Sequence, residues 1–383
     1  MLSDRWERFC EAPVADRPAL YQTPTHGRNI HTQVGKLPTL ASVKKGHPAP
    51  TISAYAWRSF DRQLTFGDPR FAKTESPSLW ASVSPKQVFL CAPMTMETSA
   101  GPVLVASSAV PDKHYFRGSF GGKDILPLYR DSAAKQPNIT IGLPDHIEKA
   151  LALSAEPSAE DIAAYVYALL SAGRYQQRFA EALQTPGPRV PITRSANLWK
   201  EAVEVGRTLL WLHTYAERYQ DAAAKRGPRV PRVAGLVWAN PVTKMPETPN
   251  DIDYDTATST LIVGAGRVAG VRREVWEYKV SGLEVVYKWL GYRTKRGAGR
   301  AASSENPLDR IRPQTWPSEW NEELLDLLCV LTMTVDIHPR QAVLLDAICD
   351  GPLIPGDELP EPEAWQKRVP DVVAPTALFP DRG

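Results

Sequence analysis

Thr260-Leu-Ile-Val-Gly264-Ala-Gly266-Arg-Val-Ala-Gly270, continued by Val271-Arg-Arg-Glu-Val-Trp-Glu-Tyr-Lys-Val280, is the stretch on which the fold class turns. An apolar run leading into closely spaced glycines is how a dinucleotide-binding βαβ unit begins, and would make the chain a doubly wound α/β protein. That fingerprint needs G-x-G-x-x-G, so that bare backbone meets a pyrophosphate at a helix N-terminus. Here the third glycine comes one place late, and the residues that follow alternate. Trp276, Tyr278 and Val280 share one face, Glu277 and Lys279 the other. Alternation predicts a strand where the phosphate-binding helix should start. The stretch therefore reads as a glycine hairpin, with an NAD-type protein using Gly264, Gly266 and Gly270 as the alternative.

Working outward, helical spacing appears upstream. Ile162, Tyr165, Val166, Leu169, Leu170, Phe179 and Leu183 predict one helix from Ala159 to Leu183, stopped by Pro186-Gly187-Pro188. A second starts at the cap candidate Ser195 and runs through Trp199, Val203, Leu209, Leu210 and His213 towards Ala224; the two are expected to pack together. Downstream, Ser281-Gly282 opens a short helix. Two more are expected at Ser318 to about Val335 and at Pro339 to Cys349, the first with Glu319, Glu322 and Glu323 where the helix dipole favours acids. Between Ile52 and Val110, runs such as Gln87-Val-Phe-Leu-Cys91 and Val103-Leu-Val-Ala-Ser107 are bounded by prolines and read as short strands. The chain has 35 prolines in 383 residues, nearly twice the usual ~5%, which agrees with short elements and rigid connections. The expected architecture is α+β: mixed short-strand sheets with packed helices, in two lobes. Residues 1–150 form a strand-rich lobe with an extended arm, 151–354 an α+β lobe with a basic loop, and 355–383 a loosely packed Pro/acid-rich tail.

A hydrophobic fraction of 43% and a charged fraction of 23% exclude a disordered or fibrous chain. The net charge of +2 hides an asymmetry: from Pro313 onward 13 acidic residues face four basic ones, a balance of −9 that leaves +11 for the first 312 residues. This would place DNA on the basic body and the acidic helices away from it or towards a protein partner. The charged N-terminus lacks the apolar stretch of a signal peptide and no segment approaches ~18 apolar residues, so a cytoplasmic protein without membrane contact is expected. Cys10, Cys91, Cys329 and Cys349 form no C-x-x-C pair, and no metal or cofactor is expected; Cys329 and Cys349 read as core residues.

Several patterns touch on chemistry without completing it. Gly118-Ser-Phe-Gly-Gly-Lys123 is one residue short of a phosphate-binding loop, with Asp124 where Ser or Thr would hold magnesium. Asp255 with Glu277-Tyr278-Lys279 has the letters of a metal-dependent nuclease, but an alternating strand gives the same letters. No Asn/Asp-Pro-Pro-aromatic element of a DNA amino-methyltransferase is present, and no G-x-S-x-G. What remains is basic. Lys288, Arg293, Lys295, Arg296, Arg300, Arg310 and Arg312 are interleaved with Tyr287, Trp289 and Tyr292, and a second cluster comprises Lys225, Arg226, Arg229 and Arg232. Each is either a solvated loop or a nucleic-acid contact.

The order of these pieces resembles a known family. Tyr55-Ala-Trp-Arg58-Ser-Phe60-Asp61-Arg62-Gln63, Ser78-Leu79-Trp80, Gly101-Pro102, Pro111-Asp112-x-His114 and Leu126-Pro127-Leu128-Tyr129-Arg130 are similar to the C-terminal specificity region of type ISP restriction-modification enzymes. The resemblance continues through Arg189-Val190-Pro191, Trp211-Leu212-His213-Thr214-Tyr215, Val275-Trp276-x-Tyr278-x-Val280-Ser281-Gly282 and Pro307-Leu308-Asp309, to about Ile354. It implies a non-catalytic module that reads a target in double-stranded DNA within a restriction-modification (phage defence) system. A separate methyltransferase or translocase would act with it. Arg293, Lys295, Arg296 and Arg300, with Arg117 and Lys123 beside the glycine loop, are the expected DNA-backbone contacts. Arg58, Asp61 and Arg62 are expected to form a structural ion-pair corner. The alternative function is an enzyme, either related to DNA methyltransferases or binding NAD through the glycine pattern.

Overall fold

The computed structural model describes residues 2–21, 29–33, 38–71, 76–95, 97, 99–116, 124–296 and 315–370. At the N-terminus α1 (Leu2–Glu11) and α2 (Arg17–Tyr21) belong to an arm that is docked rather than free. Trp6, Phe9 and Cys10 join Ile30, Leu40 and Val43 in a small core against Phe66 and Phe71. Arg17 is buried there, donating to the carbonyls of Cys10, Ala12, Leu40 and Ala41.

The chain then makes β1 (Ile52–Arg58), β2 (Asp61–Phe66), α3 (Pro77–Ala81), β3 (Phe89–Cys91), β4 (Val105–Ser107), β5 (Val110–Pro111) and β6 (Ile125–Pro127). β1 and β2 are an antiparallel hairpin whose register slips between Ala56 and Arg58, and β5 adds to β1 in parallel. β4, β3 and β6, in that order, form a second antiparallel sheet. It is the wall of the molecule. Phe89, Leu90 and Cys91 are all buried, and side chains alternate between its faces, so that Cys91 and Val105 enter one main core while Leu90 and Ala106 enter the other.

Behind the wall lie α4 (Leu143–Leu151), α5 (Ala159–Leu170), α6 (Gly173–Arg178) and α7 (Ala196–His213). Ser158 and Asp161 close a capping box on α5, and Ser195 caps α7 as expected. The helix expected over 159–183 is broken after Leu170, and α7 stops at His213, short of Ala224. At the crossing of α5 and α7 a Cβ on Gly206 would stand 1.8 Å from the Ala164 carbonyl oxygen, so only glycine permits this approach.

On the other side β7 (Val237–Asn240), β8 (Ile252–Asp255), β9 (Thr260–Val263) and β10 (Gly266–Ala269) form an antiparallel sheet in the order β7-β10-β9-β8. The glycine stretch is thus a hairpin, and a strand follows Gly266 where a cofactor-binding unit would begin a helix; the NAD reading fails on this geometry. Gly270, at φ +75°, approaches the Gly235 carbonyl so closely that a Cβ would lie 2.2 Å from its oxygen. The expected strand over 275–280 is a correction: Arg273–Trp276 is the short helix α8, and only Lys279–Val280 is a strand, β11, paired with β12 (Leu283–Glu284). α9 (Val285–Gly291) follows.

The last element, α10 (Glu319–Asp350), runs unbroken through Pro339, where two helices were expected. An internal proline costs about 3 kcal/mol. Here burial on both sides outweighs it: Leu324 to Leu331 fill the first core, Leu344, Leu345 and Ile348 the second, and Gln341 donates to the Ala168 carbonyl and the Ser171 hydroxyl. Both main cores draw on residues from either side of position 150, which itself falls within α4. The tail is anchored as far as it is described. Ile354 and Arg194 exchange backbone bonds with Ile192 and Pro352, Arg194 holds Glu358 at 2.5 Å, and Arg130 lies over Trp365 while donating to the Arg368 carbonyl at 2.6 Å. Among the described residues no helix is long and apolar enough to cross a membrane.

Candidate nucleic-acid interface

The chain leaves α9 through Tyr292-Arg293-Thr294-Lys295-Arg296, the centre of the expected basic surface. Its members part company. Arg293 turns inward, donating to the two carboxylate oxygens of Asp61 at 2.8 and 3.2 Å and to the Trp289 carbonyl at 3.0 Å. Its guanidinium lies 3.5 Å from the Trp289 ring centre, 5.2 Å from that of Trp320 and 3.7 Å from the Glu323 carboxylate. Burial pushes Glu323 above the usual carboxylate range, with Arg293 opposing the shift. Arg293 and Asp61 are each 2% exposed, so Arg293 offers no surface to a phosphate; its reading as a DNA-backbone contact is corrected to that of a buried strut.

Two residues later Lys295 and Arg296 are exposed. Their backbone N–H groups donate to the carbonyls of Pro246 and Glu247, both at 2.9 Å, which fixes the path of the chain, and the Lys295 ammonium pairs with Glu247. Arg300, Arg117 and Lys123 lie outside the described residues, as does the glycine loop.

Arg58, Asp61 and Arg62 are all ion-paired but do not form one corner. Arg58 holds Asp112 at 3.0 Å, Asp61 holds Arg293, and Arg62 holds Glu217 at 2.9 Å while lying 3.8 Å from the Tyr215 ring centre. The β1–β2 hairpin is thereby tied to three different parts of the molecule. Asp112 also accepts from the Tyr55 hydroxyl at 2.7 Å, and burial, then the carboxylate, pushes the Tyr55 pKa up, so it stays a donor.

Between this hairpin and α9 lies a cleft of about 360 Å³, counting space open to solvent, with Arg58, Phe116, Leu283, Glu284, Lys288 and Tyr292 among its lining. The Arg58 guanidinium is 4.0 Å from the Trp57 ring centre and 5.7 Å from that of Tyr292. Sequence reasoning had Lys288 and Tyr292 but missed Trp57 and Glu284. The register slip at Ala56/Arg58 re-aims the end of β1, and nothing in the letters Ala-Trp-Arg announces a bulge.

The second basic cluster is largely consumed by acids. Arg226, 3% exposed, pairs with Glu204 and with Asp221; Arg232 holds Glu322 at 2.5 Å and Asp326 at 2.6 Å. Along α10, Asp336 holds Arg272, Asp346 holds Arg174 and Arg178, and Asp350 holds Arg178. The acidic section therefore does not face away from the basic body. It is bonded to it, and the asymmetry along the chain is in good part cancelled in space.

The residues with nuclease-like letters are occupied separately: Asp255 accepts from Thr258 and Ala257, which hold its pKa down, Glu277 pairs with Arg273, and Lys279 with Glu284. Asp145, Glu148 and Glu156 bring carboxylates within 4.8 Å of one another, but the Lys149 ammonium already holds Asp145 at 2.6 Å. All four cysteines are free; Cys329 is buried and Cys349 half-buried.

The model of the type ISP C-terminal specificity domain matches residues 1–327. No curated protein matches the chain. Among solved structures, it is similar to one of a DrdV–DNA complex, at 19% identity and a TM-score of 0.57, covering 92% of this chain and 33% of that one. It is also similar to a nuclease-deletion mutant of the type ISP restriction-modification enzyme LlaGI in complex with a DNA substrate mimic, at 15% identity and a TM-score of 0.52, covering 79% and 21%. The chain spans a third or less of the length of these structures, and the likeness is one of fold.

Proposed function

The chain belongs to the type ISP C-terminal specificity domain family, and from that premise we propose that it reads a DNA target for a restriction-modification system without catalysing a reaction itself. The family match over residues 1–327 carries the reading. Further support comes from a fold like those of DrdV and LlaGI, both solved with DNA or a mimic of it. Lys295 and Arg296, with Arg300, Arg117 and Lys123, would neutralise phosphates and set the register, while other side chains read base edges in the major groove. A separately encoded methyltransferase or translocase would supply the chemistry, and the protein would work in the cytoplasm, where the DNA is.

The test is selection from a random duplex library, with the protein alone and with a neighbouring methyltransferase. An enriched motif is expected, with binding that weakens as salt rises by a slope of about −0.9 per phosphate neutralised. Recovery of no motif under either condition would refute the reading.

A further inference from the structure

The cleft between the β1–β2 hairpin and α9 combines surfaces that a single phosphate or a single apolar group would not need together. Tyr115, Phe116 and Trp289 are buried beneath it, Leu283 and Tyr292 stand half-buried at its sides, and Lys288 and Glu284 bring opposite charges. Arg58 is held rigidly by Asp112 and the Trp57 ring, yet its buried Nε–H has no hydrogen-bond partner. A buried donor left unpaired is unfavourable, and a ligand with an acceptor edge would relieve it.

We propose that this cleft is a pocket for one nucleobase turned out of the DNA stack. The inference rests on the DNA-binding reading above. A base has two flat apolar faces for the aromatic and aliphatic walls, and ring or carbonyl acceptors for the Arg58 Nε–H. Its exocyclic amine would donate to Glu284, and its flanking phosphate would meet Lys288. A volume of about 360 Å³ lies within the range of small-molecule sites. Asp61, which also lines the cleft, is committed to Arg293 and leaves the acceptor role to Glu284.

The experiment compares the affinity of the full chain for a short paired duplex with its affinity for the same duplex carrying one bulged nucleotide, each of the four bases in turn. At least one bulged base should bind about tenfold tighter than the paired duplex. Tyr292→Ala should abolish that preference while changing paired-duplex affinity less than about twofold. Leu283→Trp, which fills the cleft from the opposite side, should do the same and serves where the first variant folds poorly. Equal affinity for paired and bulged DNA would overturn this inference and leave the DNA-binding reading standing. A preference that survives both variants would also overturn it. Binding to neither duplex would overturn both.

Discussion

Two stretches of this chain carry four cations each, Lys225, Arg226, Arg229 and Arg232 in the first and Lys288, Arg293, Lys295 and Arg296 in the second. In the sequence they are equivalent; in the fold they are not. The first is spent on structure: Arg226 and Arg232 between them hold Glu204, Asp221, Glu322 and Asp326. The second is divided by depth. Arg293 is sunk between Trp289 and Trp320 onto Asp61, while Lys288, Lys295 and Arg296 stand around the rim of the cleft and its exit. Local charge density therefore says little about where a polyanion binds. What decides is whether a carboxylate from a distant part of the chain reaches the cation first.

The largest expected effect concerns the buried strut. Asp61→Asn removes the negative partner from a guanidinium that solvent cannot reach, and should cost about 3–5 kcal/mol in denaturant unfolding. A loss below about 1 kcal/mol would mean that Arg293 swings outward, and would return it to the candidate DNA surface. Next is the contrast in DNA binding. Lys295→Ala with Arg296→Ala should weaken binding to all sequences alike and reduce the salt slope by about 2. Lys225→Ala with Arg229→Ala should leave that slope unchanged if the first stretch plays no part.

A pH titration probes the core beside the strut. His213 accepts from the Tyr167 hydroxyl at Nδ1 and faces the Thr334 hydroxyl through Nε2, and burial pushes its pKa down to about 3. The folded protein thus keeps His213 neutral while the unfolded chain takes up a proton below about 6.5. Stability should fall as pH drops from about 6.5 towards 3, and His213→Gln should flatten the urea midpoint across that window. The smallest effect is expected at Arg232→Ala. Its two pairs are half exposed, so unfolding stability should change by less than about 1 kcal/mol, and a larger change would show that the α10 acids are structural anchors rather than neutralising neighbours.

Much of the fold was legible because its signals are local. The hairpin at Gly264 to Gly270, the cap at Ser195, the pairing of the two central helices and the α+β class all follow from spacing and side-chain chemistry within one element. The misreadings were places where distant packing overrides a local rule. Pro339 fails to break α10 because both flanks are buried in different cores, and Val275-Trp276 turns helical although its letters alternate. The candidate site was half legible. Lys295 and Arg296 stand on the surface as their letters suggest, whereas Arg293, with the same letters around it, is claimed by Asp61, 232 residues away. No windowed reading of the sequence contains that contact.

The account's central claim is tested most directly by equilibrium binding of a selected duplex against a scrambled one of equal length and composition, at two salt concentrations. The account predicts that the selected duplex binds tighter by about 10³-fold or more, and that both affinities fall as salt rises. Equal affinity for the two duplexes, or binding indifferent to salt, would contradict it.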